Sequence, residues 1–349
     1  MPELKKNMRL LISQNIGFTA ATIILVVLWL LYNFLHPRGF SSAVLIQNTN
    51  ESVAIVFVAI AQTLPVLLGG LDLSVGAVMT LANCVASVLV SGTPFQIILG
   101  MMITLLTGTA FGLLNGLVVV YGRIQPIIAT LATGSIAIGL ALFIRPQPGG
   151  DVDGDLGWAL TNDLYELVAT YGWWDADAGW FAPISWFPVP LLIILVISFG
   201  IWIPFKRTIT GRTVYAIGSS ESAAFMSGLP IDRAKLAAFT LAGFFAACGG
   251  LYLAIQTSSG NADISQAGSY TLNSIAAVVL GGTSLLGGIG GAIGSLVGAL
   301  LLRLLAFYFR ILSIDPLLQP LIEGVVLLVA VSLGALRTLQ TKNRLRLFR

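Results

Sequence analysis

The stretch ESVAIVFVAIAQTLPVLLGGLDLSVGAVMTLANCVASVLV, residues 51–90, carries only two charges in forty residues, Glu51 and Asp72. Apolar runs at 44–68 and 73–91 flank a short break, Leu68-Gly69-Gly70-Leu71-Asp72-Leu73-Ser74-Val75-Gly76. Each run approaches the ~20 residues that cross a bilayer as a helix. Neither alternates as a barrel strand does. A backbone in lipid must satisfy its own N–H and C=O groups, so the segment reads as helix, break, helix inside a membrane. Asp72 falls where the chain turns. An aspartate there favours the free N–H groups of the helix starting near Ser74, which is a capping role.

Working outward, further apolar runs lie at 18–35, 95–121, 124–145, 188–205, 235–256, 268–284, 287–310 and 316–336. With the first two they make ten, and an all-α polytopic membrane protein of about ten transmembrane helices is expected, one permease domain over 1–349. The composition agrees: 56% of the 349 residues are hydrophobic and 9% are charged, against roughly 25% in soluble domains. Mean hydropathy is +0.92. A soluble enzyme, a disordered chain and a basic nucleic-acid binder are excluded, the last because the net charge is only +3. The basic residues set the orientation. With the N-terminus inside, fourteen of the eighteen Lys and Arg fall on the inner side, among them Lys5, Lys6, Arg123, Lys206, Arg207, Arg212 and Arg337, whereas Arg38, Arg145 and Arg310 fall outside and Arg303 within a span. The positive-inside rule places both termini in the cytoplasm.

Two loops interrupt this pattern. The outer one, 146–187, holds seven of the fifteen acidic residues, no basic residue and five of the seven Trp (Trp158, Trp173, Trp174, Trp180 and Trp186). Its Trp residues suit a membrane interface or a protein contact. The inner loop, 206–234, contains a helix signal: Ser219 or Ser220 as cap, helix formers through Ser227, then Gly228 and Pro230 as stops. Roughly two turns of exposed helix are expected there. Its small residues Ala223, Ala224 and Ser227 carry two apolar knobs, Phe225 and Met226, and such a helix can act as a rigid lever.

Within the spans, Gly108, Gly112 and Gly116 recur every four residues, as do Gly290, Gly294 and Gly298. Such stripes let helix backbones approach closely in lipid. The break at 68–76 has a counterpart 212 residues later, Leu280-Gly281-Gly282-Thr283-Ser284-Leu285-Leu286-Gly287-Gly288, which suggests an internal duplication. Candidate polar groups for a translocation path or gate are Asp72, Ser74, Asn115, Thr130, Thr133 and Asn273. Glu51, Gln62, Asn83 and Glu323 are further buried polar candidates. Ionisable groups in spans are costly and face the bundle interior. Their sparseness suits a neutral, hydroxyl-bearing solute better than an ion or proton relay. No catalytic site emerges: one histidine, His36, builds neither a zinc site nor a Ser triad. No Gly-Lys-Ser/Thr phosphate loop is present either. Cys84 and Cys248 lie in apolar runs and imply no disulfide framework.

Four motifs, GGLDLSVGAVMTL (69–81), GLLNGLVVVYGRIQPIIATLATGSI (112–136), GRTVYAIGSSESAAFMSGLPIDRAKL (211–236) and SIAAVVLGGTSLLGGIGGAIGSLVGAL (274–300), resemble the permeases of bacterial sugar ABC importers, the ribose type above all. The resemblance implies a type II importer-like helical architecture in the inner membrane. It also implies a second permease copy or paralogue, cytoplasmic ABC ATPase subunits, an extracytoplasmic solute-binding protein and a monosaccharide substrate. The chain itself would hold no cofactor, Mg-ATP residing on the partner ATPase. The coupling element would be Gly218, Ser219, Ser220, Glu221, Ala223, Ala224, Phe225, Ser227 and Gly228. Members of this family often carry Gly-Asn where this chain has Ser219-Ser220. The alternative is an ion-coupled secondary transporter of a small polar solute.

Overall fold

The computed structural model describes residues 16–315 and, beyond them, 318, 321, 322, 324, 325, 328 and 332. Both termini and most of the run at 316–336, with Glu323, lie outside the described residues. Among residues 16–315 fourteen helices are formed: α1 Ile16–Leu35, α2 Ser42–Leu67, α3 Val75–Leu89, α4 Pro94–Val120, α5 Pro126–Ile144, α6 Gly154–Thr161, α7 Leu164–Tyr171, α8 Ala182–Ser185, α9 Val189–Arg207, α10 Ile209–Ser219, α11 Glu221–Met226, α12 Ile231–Thr257, α13 Ile264–Leu280 and α14 Ala292–Ile311. Among the described residues no strand occurs, only isolated bridges at Gly149–Gly260 and Asp163–Pro188.

Seven of these helices (α1, α2, α4, α5, α9, α12 and α14) are long and apolar enough to cross a membrane. The protein is therefore polytopic. The expected span at 73–91 appears as a shorter helix, α3 of 15 residues, and that at 268–284 as α13, of 17 residues but set four residues earlier in the chain. The glycine break before α3 delays its start to Val75, and the one after α13 stops it at Leu280.

Burial sorts the helices into two layers. The apolar windows of α2 and α12 are 89% and 78% buried, whereas those of α1, α4, α5 and α9 are 17–33% buried. In lipid an apolar face has no reason to hide, so the outer helices keep Ile, Leu and Phe outward and turn their small residues inward. The buried positions of α4 are Gly100, Thr104, Gly108, Gly112, Asn115, Gly116 and Val119, one stripe of small and polar side chains. That stripe packs on α12, the hub that also touches α2 and α3. A methyl added at Gly112 would fall 2.3 Å from the Phe239 carbonyl oxygen, and one at Gly108 2.6 Å from that of Gly243. The expected stripe on α4 is thus a contact within the chain.

The second stripe needs correction. Gly290 is not helical: its φ is +118°, and α14 begins only at Ala292. Gly294 and Gly298 do lie on α14, where a methyl would meet Gly281 O at 2.4 Å and Ala277 O at 1.9 Å on α13. Gly290 instead packs against Thr283 in the preceding turn. Spacing of four residues suits a helix, but Gly287, Gly288 and Gly290 all take positive φ, which no helix tolerates.

Candidate functional site

The break at 68–76 folds into a sealed polar corner. Leu68 ends α2, and Gly69 (φ +81°) turns the chain, its N–H donating to Val66 O and that of Gly70 to Pro65 O. Asp72 is then 2% exposed. Its Oδ1 accepts from the Ser74 amide (2.8 Å) and the Ser74 hydroxyl (2.6 Å), so Asp72 fixes the N-cap residue of α3 and does not itself cap the helix's free N–H groups as expected. Asn115 of α4 donates to Ser74 Oγ at 2.8 Å, and Thr133 of α5 donates to Asn115 Oδ1. Thr130, also on α5, accepts from the Leu73 amide at 2.9 Å. Gln62 of α2, with its amide turned to satisfy both groups, donates to Asp72 O at 2.8 Å and accepts from Asp72 N at 3.2 Å. The two donors on Oδ1 offset part of the cost of burying the carboxyl group.

Asp72, Ser74, Asn115, Thr130 and Thr133 are therefore brought together, joining the ends of α2 and α3 to α4 and α5. Asn273 stands half-buried on α13. That helix reaches the start of α3 through Thr271, whose hydroxyl accepts from the Gly76 amide at 3.1 Å. Asn83 clamps the α12–α13 connection, donating to Ser259 O and accepting from Asn261 N. Glu51 is paired with Arg303 and Arg310 of α14. Among the described residues no group of three or more His, Cys, Asp or Glu is placed to hold a metal. Cys84 and Cys248 are buried and free.

The loop at 206–234 is more ordered than its sequence suggests. It holds two helices rather than one. Thr208 caps α10 by accepting from the Gly211 amide (3.0 Å), and Thr213, Val214 and Ile217 are its buried positions, together with Gly211. This signal, a Thr followed by apolar residues at helical spacing, was readable but is masked by the basic residues around it. Ser220 ends α10 and caps α11, accepting from the Ala223 amide at 3.3 Å. α11 has six residues, less than the expected two turns. It ends where Gly228 (φ +72°) turns the chain, with Leu229 N–H reaching back to Ala224 O. Phe225 and Met226 are 71% and 86% exposed, while Ala224 is buried. Glu221 pairs with Lys235 of α12 at 2.6 Å.

What α10 touches was not readable at all. Gly218 lies where a methyl would be 2.0 Å from Leu67 O, at the end of α2, and 2.3 Å from Gly288 N. The Gly288 amide itself donates to Leu67 O at 3.0 Å. Tyr215 donates to Gly290 O at 3.0 Å, and burial pushes its hydroxyl up to about 12, so it stays a donor. Gly218 thus bridges both glycine breaks of the sequence. Through Gly218, α10 lies in direct backbone contact with the end of α2 and with the turn before α14.

At the other end of the bundle, the acidic segment 146–187 forms α6, α7 and α8. Arg145 ties its start to Ser87, through Nε to the hydroxyl (2.9 Å) and Nη2 to the carbonyl (2.7 Å). Asp153 and Asp163 cap α6 and α7. Tyr171, Trp173, Trp174, Trp180 and Phe181 form a chain of ring contacts at 5.5–6.1 Å. All five Trp of the segment are exposed.

The described residues form a bundle of helices of membrane-crossing length, with a short exposed helix joined to its interior turns through Gly218. Residues 44–331 match the permease components of branched-chain amino acid transport systems, and the chain belongs to that family. It is 33% identical to the ribose import permease protein RbsC of Haemophilus influenzae, covering 88% of this chain and 90% of that one. Identity to the ribose import permease protein RbsC of Bacillus subtilis is 35%, over 92% and 93% of the two chains. Identity to the autoinducer 2 import system permease protein LsrD of Escherichia coli is 27%, over 89% and 90%. No solved structure matches the chain. It is a multi-pass inner-membrane protein and the permease of an importer.

Proposed function

We propose that this chain carries a monosaccharide, of ribose type, across the inner membrane as one of two permease subunits driven by cytoplasmic ABC ATPases. The observation that carries this reading is the exposed pair Phe225 and Met226 on a capped six-residue helix, braced through Gly218 against two interior turns. Apolar side chains this exposed outside the spans are what a partner's groove would cover. ATP binding on the partner moves α11. α10 then carries the motion to the ends of α2 and α14, and the bundle opens toward one side at a time. The solute shifts this equilibrium only by its different affinity for the two states. The polar corner at Asp72, Ser74, Asn115, Thr130 and Thr133 fixes α3 beside the path, with Asn273 on the adjoining helix. Ten spans, both termini on the ATPase side, a type II-like arrangement and an extracytoplasmic binding protein meeting the outer face complete the assembly.

The relatives' names support the sugar, and the sparse ionisable groups among the described residues of the spans favour a neutral solute over ion coupling. The test replaces Phe225 and Met226 by Glu. Labelled ribose uptake and co-purification of the ATPase should both fall by about tenfold or more, while the protein still inserts in the membrane. Uptake that survives this change, or survives loss of the ATPase and stops when the proton gradient is collapsed, would sink the proposal in favour of an ion-coupled carrier.

A further inference from the structure

Where α1 ends, α2 begins and α14 ends, an open pocket of about 320 Å³ is formed, room for a small ligand group. Tyr32 and His36, Gln47 and Asn48, and Phe307 and Arg310 line it, one pair from each of the three segments. Its electrostatics are unbalanced. Glu51 is shared by Arg303 (2.7 Å) and Arg310, which engages both of its carboxylate oxygens. One carboxylate thus faces two guanidinium groups, leaving one positive charge over. Both guanidinium groups also lie over the Phe307 ring, at 5.5 and 4.9 Å.

The unmet hydrogen-bonding capacity has the same sign. Asn48 Nδ2 is buried without a partner, while Asn48 Oδ1 accepts from Tyr32. Arg303 Nε, in the same cluster, is also buried without one. His36 Nδ1 accepts from the Arg38 amide, which leaves the neutral ring's proton on Nε2 as another donor. Orphaned donors beside a surplus cation call for an anionic ligand rich in acceptors. The pocket adjoins α1, whose Phe34 is 82% exposed on a helix turned to lipid. It lies at the ends of membrane-crossing helices, the depth at which headgroups sit.

From these observations we propose that this pocket binds a phosphate group, supplied by a phospholipid headgroup or by free phosphate, with Asn48, His36 and Arg310 as its donors. The site is independent of the cargo and of the ATPase.

The test uses the full-length permease, delipidated in detergent and examined by native mass spectrometry. The probes are dioleoyl phosphatidylglycerol, dioleoylglycerol, which lacks the phosphate, and inorganic phosphate. The wild-type protein should retain phosphatidylglycerol about tenfold better than dioleoylglycerol, and the double variant Asn48→Leu, His36→Leu should lose that preference while keeping the Glu51 ion pair. Displacement of the lipid by millimolar inorganic phosphate, or protection by phosphate alone, identifies the free anion as a source. Lipid retention that phosphate does not disturb identifies the headgroup. Equal retention of the two lipids by the wild type with no effect of phosphate overturns the proposal. So does an unchanged preference in the folded double variant. Should that variant fail to fold, the wild-type comparison of the two lipids decides alone.

Discussion

The two glycine breaks, 68–76 and 280–291, start from one device and diverge. Gly69 and Gly282 have nearly equal φ, +81° and +85°, and each amide donates to the carbonyl three residues back. The residue that follows, Gly70 or Thr283, donates five residues back, to Pro65 O or Val278 O. These are matching helix stops, and they pair residues 213 apart, one more than the literal match of the letters. Beyond the stop they differ. The first break re-enters a helix at Val75 by burying Asp72 in a web of side chains. The second runs on to Ala292 through four positive-φ glycines and contains no ionisable group. The first break centres on a side-chain web around a buried carboxyl group, the second on glycine backbone contacts with single side-chain bonds from Tyr215 and to Thr283. Gly218 touches both.

The contrast can be broken most sharply at the point of contact. Gly218→Val puts atoms onto the Leu67 and Gly288 backbones and should cost about 3 kcal/mol or more, seen as loss of folded protein in a thermal melt. Next comes the side-chain web. Asp72→Ala strands the Ser74 amide and hydroxyl and should cost about 3 kcal/mol, whereas Asp72→Asn retains an acceptor and should cost about 1 kcal/mol. Equal losses in the two variants would show that the charge, not the hydrogen bonding, stabilises the corner. In the second break, Thr283→Val removes only the acceptor of the Gly291 amide, and about 1 kcal/mol should be lost.

The stops themselves provide a finer comparison. Gly69→Ala and Gly282→Ala share the strain of positive φ, about 1–2 kcal/mol. The second should be the worse, because its methyl would meet the α1 backbone at Phe18 N, 2.9 Å away, while Gly69 has Leu286 O at 3.4 Å. A reversed order in Tm would mean that α1 yields more easily than its packing implies. The smallest effect is expected from Ser220→Ala, about 1 kcal/mol of cap energy confined to the ends of α10 and α11, read best by hydrogen exchange at Ala223.

Much of this was legible in the letters because lipid imposes strong rules. Nine of the ten apolar runs correspond to helices, and the tenth lies mostly outside the described residues. Asp72 beside Ser74 and the cap at Ser220 could be read because both are local, formed within three residues of the chain. Gly290 was misread because spacing alone does not separate a helical stripe from a glycine-rich turn. α10 was missed because Lys206, Arg207 and Arg212 give its neighbourhood the look of a loop. The meeting of Leu67, Gly218 and Gly288 spans more than two hundred residues of chain, and no local rule reaches that far.

The placement of α12 at the hub has a consequence for biogenesis. Membrane insertion proceeds from the N-terminus as the ribosome works. α2, α3 and α4 therefore enter the bilayer long before residue 231 is translated, and the notch formed by Gly108 and Gly112 waits in lipid without its mate. A nascent chain halted short of that point lacks the helix on which α2, α3 and α4 all pack. Assembly of the interior is thereby timed by the arrival of a late helix, and fragments ending before it should be cleared by membrane proteases while longer ones persist.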